Sequence, residues 1–67
     1  MLDYTKLWKL MIDKKINKTA LRNKLKISSN AMAKLGKNES VQIEVLVKIC
    51  KELNCTLNDI VEIKEVQ

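Results

Sequence analysis

Apolar residues along this chain recur every three or four positions, the spacing of one helical face, and seldom alternate as they would in a strand. Leu7, Leu10 and Met11, with Lys14 one turn further on, predict a first helix over about residues 4–15, with Asp3 as N-cap. Tyr4 and Trp8 share a neighbouring face and are expected at the edge of the core. Ala20, Leu21 and Leu25 point inward from a second helix over about residues 18–25, capped by Asn17. Lys26 and Ile27 make the turn, with Ile27 as a buried plug. A third helix follows Ser28, another good cap, over about residues 29–36, with Ala31, Met32 and Leu35 inside. Gly36 is expected to end it, since glycine tolerates the left-handed conformation found just past helix ends. Leu46, Ile49, Cys50 and Leu53 set a fourth helix over about residues 43–53. Thr56 and Asp59 form a Thr-x-x-Asp capping box that opens a short fifth helix over about residues 57–61. The tail, 62–67, alternates weakly and reads as a short strand or a frayed end.

Composition supports an all-α class with at most a short strand at one end. The 67 residues contain no Pro and one Gly. That length makes one domain, 1–67, whose core must be efficient or shared with a partner. No apolar run approaches the roughly 18 residues of a membrane span, and no signal peptide is visible, so a cytoplasmic location is expected. Cys50 and Cys55 are the only cysteines and there is no His, so a zinc site is excluded. Cys50 falls on the apolar side of the fourth helix as a small core residue, with Cys55 in the loop beyond. A disulfide or redox role is the less favoured reading of the pair.

The charge map adds direction. Residues 1–38 hold nine Lys and one Arg against two Asp, a net +8. Residues 39–67 hold three Lys against six acids, a net −3. One half is suited to face a polyanion while the other does something else. Within the basic half, 17–38 reads as two short helices joined by a tight turn, a helix-turn-helix that enters the major groove of DNA. Ser29 and Asn30 sit in the first turn of the third helix, short enough to let it in and polar enough to bond base edges. Ala33 leaves room for close approach and suits a thymine methyl. Lys34 reaches guanine or a phosphate. The start of the second helix offers backbone N–H groups with Asn17, Lys18 and Thr19 to phosphates, and Lys37 and Asn38 grip the far side. Lys15, Arg22, Lys24 and Lys26 widen the positive field. A solvated basic face with Ser and Asn acting only as caps is the bland alternative.

The residues also resemble a known family, the Cro/C1-type (XRE-like) helix-turn-helix regulators, over about residues 4–63 of the chain. The resemblance rests on Ile16-Asn17-Lys18-Thr19-Ala20-Leu21 and Ile27-Ser28-Ser29-Asn30-Ala31-Met32, entering the second and third helices. It rests equally on the run from Glu44 to Ile60. It looks especially like the very small regulators of Gram-positive bacteria. The resemblance implies a five-helix, lambda-repressor-like DNA-binding domain. It implies base reading at Ser29, Asn30 and Lys34, and phosphate binding at Asn17, Lys18 and Lys37. The sequence departs from the family pattern at Arg22, where a small residue is usual, and at Lys26, where Gly is usual. Many relatives pair an Arg in the first helix with a Glu closing the third. Met11 and Gly36 stand there, so no orphan charge is left inside.

These readings converge on a sequence-specific transcriptional regulator that binds double-stranded DNA with its third helix. It is expected to act as a homodimer through the fourth and fifth helices or the tail. No enzyme is indicated: there is no His, no Gly-rich phosphate loop and no nucleophile–base pair. No cofactor, membrane contact or small-molecule ligand is expected. The alternative is a protein-interaction module, antitoxin-like or an accessory subunit, using the fold without reading DNA; Arg22 and Lys26 are its support. RNA binding is weaker still, since only Tyr4 and Trp8 are available to stack on bases.

Overall fold

Two short side chains frame the helix-turn-helix. In the computed structural model, which describes residues 1–65, Asn17 Oδ1 accepts the Ala20 N–H at 2.7 Å and Ser28 Oγ accepts the Ala31 N–H at 3.1 Å. Each satisfies one of the N–H groups that a helix start leaves open. The order is β1 (Leu2–Asp3), α1 (Thr5–Asp13), α2 (Lys18–Leu25), α3 (Ser29–Gly36), α4 (Ile43–Leu53), a 3-10 turn (Leu57–Asp59) and β2 (Glu62–Ile63).

The fold therefore has four α-helices among the described residues, not five. The expected box does form: Asp59 Oδ2 accepts from the Thr56 N–H at 3.0 Å and from its hydroxyl at 3.1 Å. It nucleates a single 3-10 turn, because Ile60 is driven fully into the core and the chain extends again at Glu62. One turn has too few internal bonds to propagate as α-helix.

The expectation of one terminal strand at most also needs correction. β2 pairs antiparallel with β1, placing Leu2 opposite Ile63 and Asp3 opposite Glu62. The Met1 amino group donates to the Lys64 carbonyl and the Lys64 N–H to the Met1 carbonyl, both at 2.8 Å. Two-residue strands carry too little alternation to be read from a sequence. Val66 and Gln67, at the end of the expected tail, lie outside the described residues.

α1 is shorter than its apolar pattern implied. Lys14 is its C-cap and Lys15 is left-handed at φ 58°, which stops the helix. Tyr4 occupies the N-cap position, while Asp3 acts one residue earlier by accepting the Thr5 N–H at 2.8 Å. Tyr4 is not at the core's edge. It is fully buried with Leu7, Met11, Leu21, Leu25, Leu35, Ile49, Leu53 and Ile60, and its hydroxyl donates to the Glu39 carbonyl at 2.8 Å. That bond lets a phenol sit in an apolar core. Met11 belongs to the same cluster. Ile27 packs against the core half-buried rather than plugging it.

Gly36 does not end α3 by a left-handed turn. It is the last helical residue, and no glycine has positive φ. Asn38, at φ 57°, takes that role. Asn38 donates its N–H to the Leu35 carbonyl at 3.2 Å, and Glu39 donates to the Lys34 carbonyl at 2.9 Å. This pairing is the Schellman arrangement, with asparagine where glycine is usual. At the other turn Lys26 is left-handed at φ 56°, as its place in the helix-turn-helix demanded.

Candidate nucleic-acid interface

α3 presents two stripes to the outside. Ser29, Ala33 and Lys37 follow one another at i, i+4 and i+8, and all three are exposed. Asn30 and Lys34 form the adjacent exposed stripe. The second stripe borders an open groove between α3 and the start of α4, where Gln42 and Lys48 form the opposite wall. The first stripe leans toward α2. There the Arg22 guanidinium donates from Nη1 to Ser29 Oγ at 2.9 Å. The expected base-reading residues Ser29, Asn30, Ala33 and Lys34 thus share one helix but not one environment.

The start of α2 carries exposed polar groups of its own. Capping uses Asn17 Oδ1, which leaves its NH2 group as the outward donor. Lys18 and Thr19 are exposed at the first two helical positions, whose N–H groups have no intrahelical acceptor. The Lys18 ammonium lies 4.3 Å from the centroid of the Trp8 ring. A cation over an indole face is attracted to it, so α1 holds the lysine in place. Trp8 packs half-buried at the edge of the core, as expected, and its ring also holds this cation.

Asn38 stands apart from the other expected phosphate ligands. It is half-buried, and its Oδ1 accepts the Tyr4 N–H at 3.0 Å. Only its NH2 group remains to face a phosphate. Lys37, one residue earlier, is exposed.

The wider basic field is partly spoken for. Lys24 Nζ lies 3.5 Å from Glu52 of α4, and Lys6 Nζ lies 3.8 Å from Glu62 while donating to the Asn58 carbonyl at 3.1 Å. These are surface pairs of small energetic value, yet they offset charge locally. Lys24 therefore contributes less to an anion-facing surface than the charge map implied. Lys48 was missed in the sequence because it sits in the acidic half. Its only signal is that it falls one turn after Glu44 and Val45, on the α4 flank nearest α3.

Residues 6–65 match the Cro/C1-type HTH DNA-binding domain. The chain belongs to this family. The crystal structure of the transcriptional regulator VanUg, Form II, superposes with a TM-score of 0.89 at 49% identity, covering 91% of this chain and 81% of that one. The comparison with curated proteins finds no match.

Within this Cro/C1-type domain the atypical residues have defined places. Lys26 occupies the left-handed turn position, Arg22 bridges α2 to α3, and Gly36 is exposed at the end of α3. The thiols of Cys50 and Cys55 are free and half-buried. Burial, then the neighbouring Cys50, pushes the Cys55 thiol up, away from the thiolate form that reacts. Among the described residues no three His, Cys, Asp or Glu side chains gather to hold a metal, and no helix is long and apolar enough to cross a membrane.

Proposed function

We propose that this Cro/C1-type domain is a sequence-specific regulator of transcription that inserts α3 into the major groove of double-stranded DNA. The carrying observation is the pair of capped helix starts in the basic half of the chain, on two helices that Arg22 bridges: α2 with Asn17, Lys18 and Thr19, α3 with Ser29 and Asn30. Helix starts suit phosphates through their open N–H groups and dipole, and short polar side chains suit base edges. Ser29, Asn30, Ala33 and Lys34 read bases. Asn17, Lys18, Thr19 and Lys37 grip the backbone, with the Asn38 NH2 group in a lesser part. The likeness to a transcriptional regulator at 49% identity supports the same role.

The regulator acts as a homodimer. α4 exposes Ile43 at 55% and Val47 at 42% one turn apart, and Leu57 at 40% stands across a shallow groove from Val47. This apolar patch lies in the acidic half of the chain, so its closure does not compete with phosphates. Two copies related by a two-fold axis read half-sites about 34 Å apart. A gel-shift titration at two salt concentrations with competitor DNA tests the reading. Specific binding that survives competitor and weakens steeply with salt is expected. Equal affinity for every duplex would instead support a non-reading interaction module.

A further inference from the structure

The Arg22–Ser29 bond bears on what the recognition helix can read. A serine hydroxyl is both donor and acceptor, so on its own it discriminates bases weakly. An arginine has donors only. With Arg22 Nη1 donating to Ser29 Oγ at 2.9 Å, one lone pair of the hydroxyl is engaged and its proton is left to turn away from the guanidinium. Ser29 is exposed in the first turn of α3, so that direction is outward. The permanent positive charge beside it also disfavours an approaching amino group and favours a carbonyl or ring nitrogen. Arg22 is half-buried between α2 and α3, so its stem is held against the fold while its head spans the two helices.

We infer that Arg22 is a positioning residue that makes Ser29 a hydrogen-bond donor toward the base it faces. This rests on the DNA-reading role proposed above. The base at that position must then offer an acceptor: guanine O6 or N7, adenine N7 or thymine O4. Cytosine, which presents its N4 amino group there, is disfavoured, because the remaining lone pair of the hydroxyl lies beside the Arg22 charge. An atypical arginine thereby turns an ambiguous contact into a directional one.

Selection from a randomised duplex pool, followed by sequencing, tests this with the full chain and its variants. The wild type is expected to disfavour C about tenfold against the acceptor-bearing bases at one position of each half-site. Ser29→Ala removes that preference. Arg22→Met reduces it to within about twofold while leaving the preferences at other positions, because no cation then stands beside the hydroxyl to turn its proton outward and repel an amino group. Arg22→Lys, which restores a donor-only cation, recovers it. A mere loss of helix packing would move all positions together, and melting curves on each variant report folding. An unchanged preference in Arg22→Met, a uniform loss across all sequences, or a wild-type preference for C would overturn the inference. If the wild type enriched no sequence at all, the DNA-reading role would fall before any variant was compared, and this inference with it.

Discussion

The backbone N–H of Tyr4 donates to the side-chain oxygen of Asn38 across 34 residues of chain, at 3.0 Å. The Tyr4 hydroxyl then donates to the next carbonyl, that of Glu39, at 2.8 Å. One residue at the head of α1 is thus clamped at both ends to the segment that closes α3. Asn38 is suited to this because it tolerates the left-handed φ of 57° and still carries an acceptor. Asn38→Ala loses both and is expected to cost about 2–3 kcal/mol of stability. Asn38→Gly keeps the backbone conformation and should cost about 1 kcal/mol, as should Tyr4→Phe. Urea denaturation of the three variants checks the order. Equal costs for Ala and Gly would mean that the left-handed strain is immaterial.

Lys26 and Gly36 are each in the conformation that suits the other. Lys26 is left-handed, which costs a residue with a Cβ about 1–2 kcal/mol. Gly36 is helical and exposed, and a Cβ built on it would meet nothing within 4 Å. Lys26→Gly should stabilise by about 0.5–1 kcal/mol after the entropy of the glycine is set against the relieved strain. Gly36→Ala should stabilise by about 0.5–1 kcal/mol. Thermal melts of the single and double variants should show nearly additive gains, since the two sites share no partner.

Acid should loosen the paired termini. Hydrogen bonds from Thr5, through its side chain and backbone N–H, hold the Asp3 carboxyl at about 2, below its ordinary 3.8, and Lys64 adds to them at 3.3 Å. Asp59 is lowered too, by hydrogen bonds from the Thr56 backbone and side chain. A carboxyl whose pKa is depressed on folding stabilises above its unfolded value, and that contribution is lost as pH falls toward the folded one. The loss is therefore expected between about pH 4 and pH 2. Stability followed by circular dichroism should fall across that window, and less steeply in Asp3→Asn.

Much of this was legible in the sequence, and the limits have physical causes. The caps at Asn17 and Ser28 and the stripe of α4 were readable because each depends on a few adjacent residues. Tyr4 was misjudged because its burial depends on a carbonyl 35 residues away. β1 was invisible, and the strand reading of the tail had no partner to fix it, because the pairing joins the two ends of the described chain. The fifth helix was over-read, since a capping box marks a start but says nothing about length. At the interface, helical spacing placed Ser29, Asn30 and Lys34 on one outer face, yet could not reveal that Arg22 reaches the first while Lys48 stands across a groove from the other two.

The apolar patch on α4 predicts the assembly state. Val47 is 42% exposed, so Val47→Glu places a charge at the proposed dimer contact without disturbing the core. Analytical ultracentrifugation should show the wild type as a dimer and the variant as a monomer with an unchanged circular dichroism spectrum. Binding to a two-half-site operator should weaken in the variant while binding to one half-site persists. A wild type that stays monomeric both free and on its operator would exclude the dimer.

Reading and gripping are separable by the sequence dependence of the loss. Asn30 is exposed on the groove-side stripe of α3 and offers both a donor and an acceptor to a base edge. Asn30→Ala should cost about 1–3 kcal/mol of specific binding and relax the preference at one base pair. Lys18, held over Trp8, and Lys37, past the end of α3, meet phosphates in this reading, which every sequence carries. Lys18→Ala and Lys37→Ala should weaken all duplexes alike, and each should lower the salt slope of log K by about one unit. Trp8→Leu should loosen Lys18 and reproduce part of its loss, again without changing base preference. The comparison needs one operator and one unrelated duplex, each titrated at several salt concentrations. An Asn30→Ala protein that keeps its full preference would place the reading face elsewhere on α3. A Lys18→Ala protein that loses only specific binding would turn that lysine from grip to reader.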